Sequence, residues 1–404
     1  MEIILVIYLL SGIIKGYINY FSLGNGIDLT FLLAIFLFVL YFLVFDKKNI
    51  QGRIFKFPTP VLILLIFWGW MMFTLLYTGS KSYAYIKVFN FATNIVPLFL
   101  ILHKTDFNIK LFLKWYVIGV IILVIAYFPM AIDYYITWNK SKGDFTRMYL
   151  TLGENIGFVI LTLYFTKEKL FGKNGDLVLL ISSFIMLFAI GARGPLFFVI
   201  IIIIISFLLK RKHKLKLSIK TSTLMVILSL IFIVIIIALF NWELVCVFFK
   251  NAIFRMQTLF NSVNTKTNKI DPSVGLRITL FFDAIKIIFS DIYTFMFGTG
   301  VGSFGMDVNG VDSNLHPHNQ ILEIWVELGL IGLMIYLYFF FFLIIKVNIN
   351  YLYISSFIIV FALLNLLKSS SLIEIRIPLS FIALNLINNN SASLIQRDEI
   401  SLCY

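Results

Sequence analysis

Long apolar stretches, separated by short polar segments, dominate this sequence. A helix needs about 17–25 apolar residues to cross a bilayer, and about twelve stretches come close to that length. They cover roughly residues 3–21, 27–45, 59–78, 86–102, 111–132, 147–165, 177–192, 195–209, 221–240, 321–345, 351–367 and 372–388. Hydrophobic residues make up 60% of the chain and charged residues 13%, whereas about a quarter of a soluble domain is charged. We therefore predict an all-α polytopic membrane protein.

The distribution of Lys and Arg between the connecting segments predicts the orientation of these spans. The connections 46–56, 167–176 and 210–220, and the others on their side, carry most of the loop Lys and Arg. Because positively charged loops stay in the cytoplasm, we expect both termini of this multi-pass protein there. Topology and anionic headgroups then account for the net charge of +13, and no nucleic-acid partner is needed.

Four parts of the chain follow from this topology. Residues 1–240 are predicted to hold nine spans, residues 321–388 three more, and residues 389–404 a cytoplasmic tail. Residues 241–320 are predicted to form one large external loop. We expect short amphipathic helices in this loop, lying against the membrane helices.

Arginine is scarce in the chain, yet several arginines fall on or near the predicted outer face: Arg147, Arg193, Arg255, Arg277 and Arg376. The planar guanidinium grips phosphate in a bidentate manner, as Lys does not. Arg193 lies in "FAIGARGPLFF", where the two flanking spans are predicted to form a tight hairpin. The pattern favours an outward-facing site for a phosphorylated ligand, although scattered surface arginines would give the same pattern.

Arg277 stands out because it is predicted on an apolar helix face. In "LRITLFFDAIKIIFSD" a helical period puts one polar stripe on Thr279, Asp283, Lys286 and Ser290. Arg277 lies nearly opposite, in line with Phe281, Ala284 and Ile288. A buried charge needs a partner, so this position indicates function.

Two of the four histidines, His316 and His318, lie in "HPHN" immediately before the apolar stretch 321–345. His318 is predicted just before or at the first turn of that helix, aligned with Gly329 and Gly332, which would let a neighbouring helix approach closely. A His can exchange a proton near neutral pH, so His318 is the candidate base. The alternative is an interfacial His that only caps the helix. His316 precedes Pro317 and ranks second.

Acidic residues within the spans have two open interpretations. Glu154 either lines a cavity or pairs with an Arg, and Glu327 is expected to form a structural ion pair. The Gly-rich stretch 298–305 lacks the strand–helix context of a dinucleotide site. The stretch 307–312 lacks calcium-loop spacing, so we predict neither metal nor cofactor.

The stretch "HNQILEIWVELGLIG" resembles a known family pattern: His-Asn, nine residues, then Gly-x-x-Gly. That pattern is typical of the O-antigen ligase and polymerase superfamily. The order "R…FFDAIKII…FGTGVGSF…HPHN", the "GARG" hairpin and the large loop before the motif are similar too. The resemblance is specific from about Arg255 to Gly332.

This resemblance implies metal-independent glycosyl transfer on the outer, periplasmic face of the bacterial inner membrane, from an undecaprenyl-diphosphate-linked glycan donor to an acceptor hydroxyl. It implies that His318 is the catalytic base and that Arg193, Arg277 and Arg255 bind the pyrophosphate. Cavity-lining roles are then expected for Glu154, Arg147, Asn319 and His316. A chain-length regulator is a further expected partner.

Three functions remain open at this point. We favour a polymerase of O-antigen or a similar surface polysaccharide. The runner-up is the ligase that transfers the glycan to lipid A-core. A lipid-linked glycan flippase fits less well. A flippase should carry its ionisable residues near the bilayer midplane, in two related halves of the chain, whereas the arginines named above fall on or near the predicted outer face.

Overall fold

The structure is a computed structural model that describes residues 1–20, 28–41, 43, 58–103, 107–137, 145–166, 168–211, 272–346, 356–368 and 371–386. All regular secondary structure in these ranges is helical, which confirms the predicted all-α class. Eight helices precede the gap at 212–271: α1 (Glu2–Tyr20), α2 (Leu29–Leu40), α3 (Thr59–Thr74), α4 (Tyr83–His103), α5 (Ile109–Thr137), α6 (Phe145–Phe165), α7 (Gly172–Ile190) and α8 (Arg193–Arg211). The others are α9 (Pro272–Ile288), α10 (Ile292–Phe297), α11 (Phe304–Asn309), α12 (Gln320–Lys346), α13 (Ser356–Lys368) and α14 (Arg376–Leu386).

Six of these helices are long and apolar enough to span a membrane, namely α1, α4, α5, α6, α7 and α12. Helices α2, α3, α13 and α14 and the apolar part of α8 are shorter. Each coincides with a stretch predicted from the sequence, so the chain is a multi-pass membrane protein. The ninth predicted span, 221–240, and the tail, 389–404, lie outside the described residues.

The chain divides into two compact units. The first contains α1, α5–α8 and the beginning of α13, and the second contains most of α2, then α3, α4, α9–α12, the end of α13 and α14. In the first unit a Cβ added to Gly119 of α5 would lie 2.7 Å from Leu10 of α1. Such a small residue lets two helices approach closely, as is common in membranes.

The second unit is organised around α12, which contacts α3, α9 and α10. The predicted loop 241–320 begins outside the described residues, but its remainder forms the short helices α9, α10 and α11, as expected. Leu280, Ala284 and Ile288 of α9 pack with Phe304 and Val326. The buried line of α9 therefore includes Leu280 rather than Phe281, which was predicted there and is exposed.

Helix α12 is broken at Gly329, where φ is 67° and ψ is −173°. The predicted continuous alignment of His318 with Gly329 and Gly332 is therefore wrong. Gly329 allows a close approach, since an added Cβ would lie 2.3 Å from the carbonyl oxygen of Met296. At Gly332 the neighbour is Trp70 of α3, 3.1 Å from an added Cβ, as the small-residue argument predicts.

The break frees carbonyl groups that a regular helix would use internally, and neighbouring donors satisfy them. The carbonyl of Val326 accepts from the amide of Thr299 at 2.8 Å. That of Glu327 accepts from the amide of Gly300 at 2.9 Å, and that of Leu328 from the indole of Trp70 at 2.9 Å. The glycine-rich loop 298–302 is thus docked onto the break in α12.

Candidate active site

The segment 316–319 ends where α12 begins. Asn319 caps the helix, because its Oδ1 accepts from the amides of Ile321 and Leu322 at 3.0 and 3.2 Å. This cap satisfies two of the amides that a helix start leaves unpaired. Pro317 is buried and anchors the other side of His318. The predicted position of His318, just before the first turn, is confirmed.

His318 has a φ of 55°. Among the described residues, no other residue except glycine has a positive φ. That conformation is unfavourable for a residue with a Cβ, and it persists where the surrounding structure enforces it, commonly at functional sites. The rings of His316 and His318 lie 4.4 Å apart between centroids. Both are half-buried, so two imidazoles meet at a partly accessible position.

Beneath this segment lies a buried ion cluster of Lys87, Glu323 and Glu327. The Lys87 Nζ lies 2.7 Å from Glu327 Oε2 and also contacts Glu323 Oε1, and all three side chains are inaccessible to solvent. A buried charge of this kind requires close partners. The structural ion pair predicted for Glu327 is confirmed. Its partner Lys87, inside the span 86–102, was missed, although a Lys within a span is itself a signal.

Both carboxylates also accept hydrogen bonds from other segments of the chain. Glu323 accepts hydrogen bonds from the hydroxyl of Ser371 at 3.0 Å and from the amide of Leu372 at 3.1 Å. Glu327 accepts from the amide of Gly302 at 2.9 Å. One cluster therefore connects α4, the glycine-rich loop, the start of α12 and the segment before α14.

Backbone groups of the glycine-rich stretch 298–305 form hydrogen bonds with a neighbouring segment of the protein. The carbonyl of Val301 accepts from the hydroxyl of Thr78 at 2.8 Å, and its amide donates to Thr74 Oγ1 at 3.2 Å. Gly300 has a φ of 98°, and a Cβ there would lie 2.5 Å from the backbone of Thr78. A glycine is required here because the backbone approaches a neighbouring segment too closely for a side chain.

Asp312, four residues before His316, caps the start of α4. Its carboxylate accepts from the hydroxyl of Ser80 at 2.6 Å and from the amide and hydroxyl of Ser82 at 2.8 and 2.9 Å. These donors, led by the Ser80 hydroxyl, hold the pKa of the Asp312 carboxyl well below its ordinary value. The cap connects the segment before His316 to the helix that carries Lys87.

Arg277 lies half-buried near the start of α9. One turn later, Leu280 joins the apolar cluster that also includes Leu315 and Leu322, which flank the histidine segment. The structure therefore brings the helix of Arg277 against that segment. In the part of the chain that the structure describes, no carboxylate is paired with the Arg277 guanidinium.

Arg193 and Glu154 belong to the first unit. Helix α7 ends at Ile190, with Gly191 as its C-cap at a φ of 70°, and α8 begins at Arg193, so a short turn joins the two helices as predicted. A Cβ on Gly153 of α6 would lie 2.2 Å from the Cβ of Ala192. Glu154 directly follows Gly153, and Arg193 directly follows Ala192. Both residues therefore lie next to the same contact.

Two predicted residues lie partly or wholly outside the described residues. Arg147 lies on helix α6, but its side chain is outside the described part of the structure. Arg255 falls in the range 212–271, which is also outside it.

A comparison with known protein families finds a match. Residues 177–337 match the sequence model of the O-antigen ligase family. The match runs from α7 into α12 and covers less than half of the chain, including Arg193, Arg277 and the segment 316–319. No curated protein matches the sequence.

Proposed function

We propose that this chain, a membrane protein of the O-antigen ligase and polymerase superfamily, polymerises undecaprenyl-diphosphate-linked repeat units of O-antigen or a similar surface polysaccharide. The reaction would take place on the outer face of the bacterial inner membrane, with both termini in the cytoplasm. The partners are then a lipid-linked glycan donor, a glycan acceptor, the bilayer and a chain-length regulator.

One observation carries the proposal: His318 is held with a φ of 55° at the start of α12, inside the region that matches the family. The Asn319 cap and the buried Lys87–Glu327 pair fix the helix behind it. A base must be held rigidly within reach of its proton. This support is geometric and does not depend on the overall topology.

The chemistry assigned to the site is a direct displacement. His318 accepts the proton of the acceptor hydroxyl, and the acceptor oxygen forms a bond to the anomeric carbon of the donor. The bond from that carbon to the diphosphate oxygen breaks, and the lipid diphosphate leaves with the electron pair. A single displacement of this kind inverts the anomeric configuration.

The leaving group carries negative charge, and arginines can stabilise it without a metal. We assign that role to Arg277, Arg193 and Arg255. The half-buried position of Arg277 on a helix packed against the histidine segment supports its assignment. Glu154, Arg147 and His316 are proposed to line the acceptor and donor cavity. Asn319 belongs to the same group, in addition to its role as helix cap.

A second candidate function is ligation of the finished glycan to lipid A-core. The family that matches is described as O-antigen ligase, which favours this alternative. Both reactions break the same donor bond and differ in the acceptor.

The experiment that tests the proposal is complementation of a strain that lacks its own enzyme, with glycans resolved on a gel. Because φ at His318 is positive, His318→Gly and His318→Asn remove the ring with less backbone strain than Ala would. We expect both variants to reach wild-type membrane levels and to lose transfer. The paired variant His316→Asn should lower transfer without abolishing it.

The products then distinguish the two reactions. Single repeat units on lipid A-core indicate lost polymerisation, whereas complete loss of lipid A-linked glycan indicates lost ligation. Full activity of His318→Asn at normal membrane levels would refute a catalytic base at this position.

A further inference from the structure

Helices α9 and α10 expose large apolar side chains. Those that stay between 39% and 77% accessible are Leu276, Ile278, Phe281, Phe282, Phe289, Ile292 and Tyr293. Exposed apolar side chains in this number usually mark a contact with a membrane or another protein. The proposed chemistry uses none of these side chains.

Three different sides of α9 can be distinguished at about 100° per residue. One side is buried on α12 through Leu280, Ala284 and Ile288. A second side is polar, with Thr279, Asp283 and Lys286, and Lys286 is 78% exposed. The third side is apolar yet exposed, with Ile278, Phe282 and, just past the helix end, Phe289. Helices that lie in a membrane interface combine a polar and an exposed apolar side in this way.

The exposed apolar side continues onto a helix that faces lipid. Aromatic rings form an unbroken series from Trp70 and Phe73 of α3 through Tyr77 to Tyr293 and Phe297 of α10, with centroid separations of 5.1–6.4 Å. Helix α3 is an apolar helix of a multi-pass membrane protein and exposes Leu62, Ile66 and Phe73. The exposed surface of α3 is therefore connected to that of α10 through these rings.

The contacts of α9 with α12 also indicate the depth at which this surface lies in the membrane. Helix α9 packs on Leu322, Trp325 and Val326, which belong to the first turns of the span that α12 forms. Those turns lie at one end of the span, where Trp and Tyr concentrate at the boundary between headgroups and acyl chains. Trp325 and Tyr293 fit that position.

We propose that α9 and α10 lie in the surface of the bilayer at the end of α12 that carries His318, with Ile278, Phe282, Phe289 and Ile292 in contact with lipid acyl chains. The occupant of this face is lipid, because the face is connected to the exposed apolar surface of α3. The polar side with Asp283 and Lys286 then faces water.

This arrangement also has a consequence for Arg277. Arg277 lies in line with Ala284 and Ile288 on the buried side of α9, but near the start of the helix, where its side chain is only half-buried. Contact of the apolar side with acyl chains holds its guanidinium at the depth of lipid phosphates, where a lipid-linked diphosphate arrives laterally. The role of Arg277 rests on the proposed function, whereas the lipid contact does not.

The test uses the full-length chain with Cys246 and Cys403 replaced by Ser, so that one new Cys can carry an environment-sensitive fluorophore. Phe282→Cys places the label on the proposed lipid side. Asp283→Cys, one residue later and about 100° around the helix, is the matched control. Each protein is reconstituted in phosphatidylcholine–phosphatidylglycerol vesicles, and the label is quenched by doxyl groups on the acyl chains or by aqueous iodide.

We expect doxyl lipids to quench the label at position 282 and iodide to spare it, with the opposite result at position 283. Strong iodide quenching at both positions would place the helix in water and overturn the proposal. A label at 282 that is shielded from both quenchers would show a covering protein surface, from this chain or a second copy, and would also overturn it. Because quenching needs no turnover, loss of transfer in the His318 variants leaves this result unchanged.

Discussion

The ammonium of Lys87 lies 2.7 Å from the carboxylate of Glu327, and both side chains are buried in the helices that form the second unit. The two residues are 240 positions apart in the chain. Because Glu323 contacts the same ammonium, one Lys holds together α4 and the first two turns of α12. The pair fixes the helix that begins directly after His318.

Replacing Lys87 by Met should strongly destabilise the protein, because two buried carboxylates lose their cation. Breaking a buried ion pair from one side costs about 3–5 kcal/mol. The free energy of unfolding, measured by denaturant titration in detergent micelles, should fall by that order. Lys286→Met removes an exposed Lys whose nearest carboxylate is 3.8 Å away, and should change stability by less than about 0.5 kcal/mol.

A combined variant separates charge imbalance from lost packing. Lys87→Met with Glu323→Gln and Glu327→Gln leaves no charge in this cluster, and replacing a complete ion cluster is often nearly neutral. This variant should recover part of the stability lost in Lys87→Met. If Lys87→Met is as stable as the wild type, the cluster does not support the helix.

Gly329→Ala should disrupt the break in α12. With a φ of 67° and a ψ of −173°, position 329 lies in a region that only Gly adopts readily, and a Cβ there costs about 1–3 kcal/mol in backbone strain. The new methyl would also meet the carbonyl oxygen of Met296 at 2.3 Å. A lower midpoint of thermal unfolding in detergent is the expected result, together with reduced transfer.

Gly69→Ala is the control for that substitution. Gly69 lies inside α3, and nothing is within 4 Å of an added Cβ. Ala in a helix interior is favoured over Gly by about 0.5–1 kcal/mol, so this variant should be unchanged or slightly more stable. Equal behaviour of the two variants would contradict a special role for the backbone at Gly329.

The sequence predicts the helices well because their signal is local. Length and hydropathy are enough to find a span, and the polar segment 316–319 before an apolar run is enough to place His318 outside α12. The prediction that Glu327 needs an ion-pair partner follows from its position within a membrane span alone. All three predictions depend on residues within one segment.

What the sequence does not predict depends on contacts between distant segments. Hydropathy cannot show that Lys87 is the partner of Glu327, or that Asp312 caps a helix that begins 229 residues earlier. The break at Gly329 is invisible as well, since a glycine is also compatible with a continuous membrane helix. On α9, Leu280 is buried and Phe281 is exposed. Contacts with the neighbouring apolar cluster determine which of these two adjacent residues is buried, and the helical period alone does not.

Asp312→Asn should make stability less dependent on pH. The hydroxyl of Ser80 and the other donors lower the pKa of the Asp312 carboxyl in the folded protein. A lowered pKa stabilises the fold above the ordinary value of about 4, and the stabilisation is lost as the pH falls below that value. The wild type should therefore melt at a higher temperature than Asp312→Asn at pH 7, and the difference should narrow towards pH 3. A constant difference across that range would contradict the lowered pKa.

Arg277→Lys tests whether the guanidinium is needed rather than a positive charge alone. Lys keeps the charge but loses the planar fork that binds a diphosphate in two places. One hydrogen bond to a charged group contributes about 1.5–3 kcal/mol, so transfer should fall roughly 10- to 150-fold with membrane levels unchanged.

The control for Arg277→Lys is Lys286→Gln, which removes a positive charge from the polar side of the same helix, where the side chain is 78% exposed. Transfer by this variant should stay close to the wild type, because an exposed charge on that side is screened by water and salt. Rates are compared with a lipid-diphosphate-linked glycan in proteoliposomes. If Arg277→Lys is as active as the wild type, the guanidinium does not hold the donor diphosphate. If Lys286→Gln falls as far as Arg277→Lys, the net charge of α9, rather than bidentate binding at Arg277, controls the reaction.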